Sequence, residues 1–553
     1  MRLGENGWHT LDVAGAGAGT RYCFVLEDGT EVPDPASRYQ PLDVHGPSEI
    51  IDPRSYQWKC LDWAGRPWSE TVIYELHMGT FTEAGTFRAA IEKLDHLKEF
   101  GITAIQIMPL ADFRGRRNWG YDGVLPYAPD SSYGHPDDLR ALIDEAHLRS
   151  ISVFLDVVYN HLGPDGNYLP LYAPVFTEKH RSPWGAGINF DGEGSRAVRG
   201  FFIENALYWL NEFKFDGLRF DAVHAIKDDS GEHILHEISR RIREETKGRH
   251  IHLIVENEEN EASLLDHAPD AQQKLFTAQW NDDMHHVLHV AATGEDIGYY
   301  ADYTDDLEKL ARALAEGFVF QGEVMPFRGS PRGEPSGHLQ PTAFIAFIQN
   351  HDQIGNRAYG DRLSASIDPV RLRTLAAIYL LAPQIPMLFM GEEWGSKDPF
   401  PFFCDFDDKL NAIVREGRKS ELARMPGFID DADDAPDPTR LETFLSAKLQ
   451  WEKRDAPDGA GWLAFYRSLL ELRRIHVQPL LETFGTSPAK FTVSDDLVRV
   501  TWFAGEGRRL TLLANLGDKD TPIELPPSAT VFYPQIDIPV LALRPWRVIW
   551  FIR

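Results

Sequence analysis

Short apolar segments recur along the chain with helical patterns between them, and this alternation limits the fold more than any other feature. Strands are expected at Thr71–Met78, Ile102–Leu110, Ser152–Asn160, Gly217–Val223, Ile251–Asn257, Lys274–Asn281, Thr342–His351 and Pro386–Glu393. Each is short and apolar, as a strand covered on both faces should be. Helical patterns fall between them at Thr86–Phe100, Pro136–Arg149, Ser195–Phe213, Gly231–Glu245, Thr304–Glu316 and Val370–Leu381, with Trp462–His476 as the last. Eight strands separated by helices over about 400 residues predict an α/β chain built on a (β/α)8 TIM barrel. A doubly wound sheet is the rival. It rarely needs eight units and usually carries a Gly-rich phosphate turn, which this sequence lacks.

The rest of the 553 residues arrange themselves around that barrel. Residues 1–66 are turn-rich. Trp8–Val13 and Arg21–Leu26 read as short strands around Gly15-Ala-Gly-Ala-Gly19, too little chain for more than an incomplete, immunoglobulin-like β-sandwich and a linker. The barrel takes residues 67–477, with a short insertion at 162–191. Alternating segments at Leu497–Phe503, Arg509–Leu516 and Trp546–Ile552 make 478–553 a C-terminal β-sandwich domain. Ile429–Thr439 and Phe327–Pro341 read as loops.

Charge narrows the partners. With 84 acidic against 56 basic residues the net charge is −28. That excludes nucleic acid as a main partner and docking on anionic membranes, and leaves a neutral or cationic substrate. Three scattered cysteines supply neither a disulfide framework nor a zinc site. The first residues carry no apolar signal region, and no apolar run is long enough to span a bilayer. A cytoplasmic protein is expected.

Polar groups inside buried strands are costly, so those present are informative. In a TIM barrel the chemistry sits at the C-terminal strand ends. There the sequence reads Phe154-Leu-Asp-Val-Val-Tyr-Asn-His161, Gly217-Leu-Arg-Phe-Asp-Ala-Val-His224, Leu253-Ile-Val-Glu-Asn257 and Phe347-Ile-Gln-Asn-His-Asp352. Arg219 and Asp221 are two apart and share one strand face. Asp221, Glu256 and Asp352 then converge from three strands, with Arg219, His161 and His351 around them. Three carboxyls in one cleft point to glycosidic chemistry, which needs a carboxylate at the anomeric carbon and a carboxylic acid at the leaving oxygen. If Asp221 is the nucleophile, Arg219 keeps it ionised. Glu256 must then hold a proton near neutrality.

Asp156-Val-Val-Tyr-Asn-His161, Gly217-Leu-Arg-Phe-Asp221, Ile254-Val-Glu256 and Asn350-His-Asp352, in that order, resemble the four signature regions of the alpha-amylase superfamily, glycoside hydrolase family 13. The resemblance covers essentially the whole chain. It implies a retaining double displacement with Asp221 as nucleophile, Glu256 as acid/base and Asp352 as transition-state stabiliser. Tyr121, in Asn118-Trp-Gly-Tyr-Asp122, matches the superfamily's sugar-stacking tyrosine. Members of the superfamily often bind calcium near the residue matching Asn160. The insertion here is short and shows no cluster of acidic ligands, so no metal and no other cofactor is expected.

Within the superfamily, Pro33-Asp-Pro-Ala-Ser-Arg38, Val44-His-Gly-Pro-Ser48, Tyr74-Glu-Leu-His-Met-Gly-Thr-Phe81 and Trp280-Asn-Asp-Asp-Met-His-His286 are similar to the trehalohydrolase branch. That branch implies an α-1,4-glucan oligosaccharide bearing a terminal trehalose as substrate, and a functional pairing with the synthase that makes it. Asp283, His286 and His224 are the candidates for reading the trehalose side; a loop-capping hydrogen-bond network is the other reading of Asp282, Asp283, His285 and His286. Branching enzyme is the nearest rival, and a non-catalytic glucan-binding or transporter-partner barrel is the rival from another class. The branch begins with a full N-terminal sandwich, which this chain enters midway at Gly7-Trp8. Activity is expected regardless, because the barrel carries the catalytic set.

Overall fold

The computed structural model describes the chain except for residues 5–8, 183, 267–274, 305, 424–433, 486–488 and 535–540. Gly7-Trp8, the start of the expected sixth strand at Lys274, and residues 429–433 of the expected acidic loop lie outside the described residues.

Eight parallel strands close into a barrel: β1 (Ile73–Leu76), β2 (Ala104–Ile107), β3 (Ser152–Val157), β4 (Gly217–Phe220), β5 (His252–Val255), β6 (Ala278–Trp280), β7 (Phe344–Ala346) and β8 (Ile385–Phe389). Each pairs with its neighbours in sequence, and β8 closes on β1 through Met387 opposite Ile73. A closed barrel disposes of the doubly wound alternative. The register sets Phe154 of β3 opposite Gly217 of β4, and Asp156 opposite Arg219. Side chains alternate along a strand, so one inward set runs up each strand. Its lower layers are apolar: Ile73, Ala104, Phe154, Ile254, Ala278, Ile345, Ile385 and Met387 fill the barrel. Gly217 keeps that packing possible, because a Cβ there would lie 2.3 Å from the His252 carbonyl oxygen and 2.9 Å from the Phe154 ring. One step higher the inward residues turn polar, with Glu75, Gln106, Asp156 and Arg219 all buried. That switch builds the floor of the site.

The ladders are shorter than the apolar runs. β4 and β5 stop one residue before Asp221 and Glu256. The expected strand Thr342–His351 is flanked by a 3-10 turn at Pro341–Ala343 and a helix at His351–Gly355. Asn350 starts that helix by accepting a hydrogen bond from the Gln353 N–H on its side chain, a strong N-cap preference. Functional residues therefore sit just past the last ladder bond, where the backbone is free to aim them.

Helices cover the barrel: α1 (Leu94–Phe100), α2 (Pro136–Leu148), α3 (Ser195–Asn211), α4 (Ile234–Glu245), α5 (Asp282–Thr293), α6 (Leu307–Glu316), α7 (Pro369–Leu381) and α8 (Pro457–Leu472). In α4, buried Ile234, Leu235, Ile238 and Ile242 recur at helical spacing. Each such side chain contributes about 1.5–3 kcal/mol on burial. Among the described residues no helix is long and apolar enough to cross a membrane.

Before the barrel, three short antiparallel pairs form, Arg2–Leu3 with His9–Thr10, Arg21–Tyr22 with Ser48–Glu49, and Phe24–Val25 with Glu31–Val32. The expected strand Arg21–Leu26 thus splits and pairs with later segments. Within the insertion, Phe176–Ser182 and Gly185–Ile188 form a hairpin. At the C-terminus, β9 (Ala489–Ser494), β10 (Leu497–Phe503), β11 (Arg509–Asn515), β12 (Thr530–Tyr533) and β13 (Arg547–Ile552) make an antiparallel sheet in the order β9-β10-β11-β13-β12. Trp550 Nε1 donates to the Ala377 carbonyl of α7, and Thr374 of α7 donates to the Trp546 carbonyl, tying the sheet to the barrel.

Candidate active site

Arg219 organises the barrel mouth. Its Nη1 donates to both oxygens of Asp156, at 2.9 and 2.8 Å, and to Asp221 Oδ1 at 2.7 Å. Its Nη2 donates to Glu256 Oε2 at 3.0 Å. Its guanidinium lies 4.2 Å from the centre of the Trp280 ring, a cation–π contact from β6. One buried cation thus holds carboxylates from three strands. The other Asp221 oxygen accepts from Asn160 Nδ2 at 2.7 Å. Glu256 Oε2 also accepts the Ala222 backbone N–H at 2.7 Å. Ala222 has φ of 40°, a left-handed backbone that costs a non-glycine residue about 1–3 kcal/mol and clusters at functional sites.

A second chain enters from the opposite wall. Glu75 Oε1 lies 2.6 Å from His351 Nδ1, His351 Nε2 lies 2.9 Å from the Tyr121 hydroxyl, and that hydroxyl donates to Asp156 Oδ2 at 2.8 Å. Tyr121 stacks on His351 with ring centres 5.2 Å apart. Asp352 stands at the start of the short helix, more open than its neighbours, with Oδ1 3.4 Å from His351 Nε2. His161 Nε2 meets the Tyr121 carbonyl at 2.9 Å, and its ring is capped by the half-exposed Trp184 of the insertion hairpin, 4.8 Å away and nearly parallel. His224 lies at the rim on the turn after Asp221, accepting the Glu258 N–H at 3.3 Å.

Residues 65–171 match the family model described as the catalytic domain of alpha amylase, and residues 491–550 match one described as a domain of unknown function, DUF3459. A malto-oligosyltrehalose trehalohydrolase from Saccharolobus solfataricus is 43% identical over 475 residues, covering 86% of this chain and 81% of that one. Its counterpart in Deinococcus radiodurans is 44% identical over 505 residues, covering 91% and 81%. The chain belongs to the malto-oligosyltrehalose trehalohydrolase family. A solved structure of a candidate alpha amylase from Salmonella typhimurium is 48% identical, with a TM-score of 0.94 over 100% of this chain and 93% of that one.

In this trehalohydrolase-family barrel the two central carboxyls are pushed apart. Burial alone would raise Asp221, but Arg219 and His161 outweigh it and hold its pKa below the ordinary 3.8. Burial raises Glu256 well above 4.5; Arg219 opposes this, while Asp221, Asp352 and Asp282 reinforce it. Beneath them Asp156 is raised by burial to about 7 against the pull of Arg219. His351 is raised to about 9: burial disfavours its charge, and Asp352 and Glu75 more than offset that. His224 is lowered by burial despite Glu258 and Glu259. One carboxylate is thus kept ionised and one carboxylic acid protonated, side by side.

Seven of the expected site residues meet in this cleft, Asp221, Glu256, Asp352, Arg219, His351, Tyr121 and His161, with His224 at its edge. Asp283 and His286 do not reach it, which corrects their expected role as substrate contacts. Asp283 is 0% exposed and fully engaged. Its Oδ1 accepts from Tyr303 at 2.6 Å and Arg332 at 2.7 Å, and its Oδ2 from Asn260 at 3.0 Å and the Val319 N–H at 2.8 Å. His286 is packed among Tyr299, Tyr300 and Tyr303. Both face inward because α5 begins at Asp282 and turns the next residues into the core. Sequence reasoning missed Glu75 and Asp282. Glu75 was open to the rule of polar residues in buried strands; Asp282 was read only as part of a loop-capping network with Asp283.

The residues do not fit the calcium that the superfamily resemblance raises. Asn160 donates its amide to the Asp221 side chain and carbonyl, and its Oδ1 contacts His161 Nδ1, so a cation at that oxygen would compete with His161. The insertion does bring together a group the sequence reading did not see: His180, Asp191 and, from beyond the insertion, Asp229. Lys179 Nζ lies 2.8 Å from Asp191 and 2.7 Å from Asp229 and supplies the positive charge there.

Proposed function

We propose that this enzyme cleaves the α-1,4-glucosidic bond next to the terminal trehalose of maltooligosyltrehalose by a retaining double displacement, releasing trehalose and a shortened maltooligosaccharide. The observation that carries the reading is the grip of one guanidinium on both Asp221 and Glu256. It keeps the two carboxyls close, as retention requires, where the separation is about 5 Å. Relatives bearing the trehalohydrolase name over most of the chain support the choice of substrate.

In the first step Asp221 Oδ attacks the anomeric carbon and forms a glycosyl ester. The Glu256 proton passes to the glycosidic oxygen, and trehalose leaves. In the second, Glu256 takes a proton from water, the water oxygen bonds to the anomeric carbon, and the Asp221 ester bond breaks. Both residues return to their starting states. Asp352 binds sugar hydroxyls and favours the flattened ring of the oxocarbenium-like transition state. Arg219 and cationic His351 lie fixed below the reacting centre, which is electrostatic preorganisation. Tyr121, His161, the Trp184 face and His224 line the sugar path. The net charge of −28 suits an uncharged glucan. The substrate implies a maltooligosyltrehalose synthase acting beforehand, and the free thiols of Cys23, Cys60 and Cys404 suit a reducing cytoplasm.

Incubation with maltooligosyltrehalose, beside maltohexaose and amylose, tests the reading. Free trehalose from the first and little product from the others is the expected result. Branched product without trehalose would indicate a branching enzyme instead. Asp221→Asn should cut turnover by about 10⁴-fold or more with folding and glucan binding intact; an unchanged phenotype would indicate a non-catalytic barrel.

A further inference from the structure

The double displacement has no step for Arg332, but the fold carries its charge into the interior, 4% exposed. It arrives on a hairpin between α6 and β7, in which Val324–Met325 pairs with Ser330–Pro331. The Gly322 N–H donates to the Arg332 carbonyl at 2.9 Å, and the Arg332 N–H to the Glu323 carbonyl at 3.0 Å, so the side chain leaves from a fixed backbone. Its Nη1 donates to Asp283 Oδ1 at 2.7 Å and to the Tyr303 hydroxyl at 2.8 Å. Its Nε donates to the Glu258 carbonyl at 2.8 Å. The next two residues extend the pattern. The Gly333 N–H donates to the Glu259 carbonyl and the Glu334 N–H to the Asn260 carbonyl, both at 3.1 Å. Gly333 has φ of 80°, and a Cβ there would lie 1.8 Å from the Phe320 carbonyl oxygen. Only glycine lets the chain pass so close.

These bonds fall on the tail of the strand that delivers Glu256. β5 ends at Val255, so the carbonyls beyond it have no ladder partner and need other donors. The Glu256 carbonyl accepts the Val223 N–H at 3.0 Å, and the Asn257 carbonyl accepts Gln279 Nε2 of β6 at 3.0 Å. Every carbonyl from Glu256 to Asn260 is therefore held, the last three by Arg332, Gly333 and Glu334. We propose that Arg332–Glu334 is a clip that fixes where the Glu256 carboxyl stands against the leaving oxygen, with Arg332 as its positioning residue. The inference rests on the reading of Glu256 as acid/base. Among the described residues no hydrogen bond joins Arg332, Gly333 or Glu334 to β4 or to Asp221, whose carboxylate is held by Arg219 and Asn160. A loosened clip thus displaces the proton donor and leaves the nucleophile in place. A misplacement of about 1 Å costs about 100-fold in rate.

The test compares kcat/KM on two donors that differ in their need for the Glu256 proton. With maltooligosyltrehalose that proton passes to the glycosidic oxygen as the bond breaks. With α-maltotriosyl fluoride the Asp221 oxygen bonds to the anomeric carbon, the C–F bond breaks, and fluoride departs with the bonding pair, so no proton is required. Arg332→Lys keeps a cation beside Asp283 and loses the planar fork that reaches Glu258. It should lower kcat/KM by about 10- to 100-fold on maltooligosyltrehalose and by less than about threefold on the fluoride. Gly333→Ala presses a methyl group against the Phe320 carbonyl and shifts the same clip. It should show the same selectivity, and it is read alone if Arg332→Lys does not fold. Equal losses on the two donors, or no loss on maltooligosyltrehalose, would overturn the proposal. A wild type active on the fluoride but not on maltooligosyltrehalose sinks only the substrate reading, and maltohexaose then serves as the second donor. A wild type inert on all three sinks both.

Discussion

Glu75 and His351, separated by 276 positions in the chain, are joined twice: Glu75 Oε1 lies 2.6 Å from His351 Nδ1, and Glu75 Oε2 accepts the His351 backbone N–H at 3.1 Å. Both side chains are 1% exposed. Against burial, Asp352 and this Glu75 contact together keep His351 cationic, with its pKa at about 9 against an ordinary 6.5. It also fixes which nitrogen faces Tyr121. In Glu75→Gln the charge is lost while a hydrogen-bonding group remains. With Asp352 still beside it, His351 then gives up its proton at a lower pH than in the wild type, and turnover at pH 8 should fall by more than turnover at pH 6. Because the folded pKa is raised, the pair's stabilisation is full below 6.5 and disappears as pH climbs through about 9. Its size is about 1.5–3 kcal/mol, that of a buried charged hydrogen bond. Urea midpoints at pH 6 and pH 9.5 should therefore differ less in the variant than in the wild type, and equal differences would remove the ion pair from the account.

Asp283 makes the second prediction. It is the sole acidic partner of the Arg332 guanidinium among the described ion pairs, and the two side chains are 0% and 3% exposed. Removing one member of such a pair strands the other charge in the core and costs about 3–5 kcal/mol. Asp283→Asn should lower the thermal midpoint sharply. Its residual activity should fall by the same factor on maltooligosyltrehalose and on maltohexaose. A selective loss on maltooligosyltrehalose would return Asp283 to the trehalose-binding role that its sequence neighbourhood suggests.

That pair also shows how far the sequence could be read. Strand ends carry their chemistry in plain view, because an acid or arginine in an apolar run has few innocent explanations. Asp221, Glu256, Asp352 and Arg219 were legible for that reason, and the barrel followed from the repeat of apolar segments. The segment Trp280–His286 was not. Its polar residues lie where a strand turns into a helix, and a helix start rotates successive side chains by about 100°. Which of Asp282 and Asp283 enters the cleft depends on where α5 begins, and helix boundaries are the least certain feature of a sequence. The early strand pairings near the N-terminus were hidden for another reason. Two-residue ladders have no periodicity to read, and Arg21–Tyr22 finds its partner at Ser48–Glu49 across a long loop.

Three buried histidines of α5 give a stability prediction of the opposite sign to His351. Burial holds His285 and His286 well below 6.5 and lowers His289. The unfolded chain takes up these protons near 6.5 while the folded chain does not, so stability is present above 6.5 and falls as pH drops below it. Each fully buried histidine contributes a slope of about 1.4 kcal/mol per pH unit there. His286→Phe keeps the ring volume among Tyr299, Tyr300 and Tyr303 and removes one titrating group. Its denaturation free energy should fall less steeply between pH 6 and pH 4.5 than that of the wild type. Parallel slopes would show that His286 is protonated in the folded protein.

Metal dependence is decided at two places in the insertion and its neighbourhood. Asn160, where the superfamily often engages calcium, instead donates to the Asp221 carboxylate. A cation bound at its side-chain oxygen would compete with His161 and pull the amide away from the nucleophile. At the His180, Asp191 and Asp229 group, Lys179 already bridges both carboxylates. A divalent ion would have to displace that ammonium, and Asp191 is held well below its ordinary pKa by Lys179 and His180, which outweigh burial. Dialysis against EDTA should leave turnover unchanged, and calcium added afterwards should move the melting temperature by less than about 2 °C, the shift expected from a fraction of a kcal/mol in a protein of this size. Activity lost to EDTA and restored by calcium would mean either that the ion displaces Lys179 from Asp191 and Asp229 or that the amide of Asn160 rotates away from Asp221 in solution.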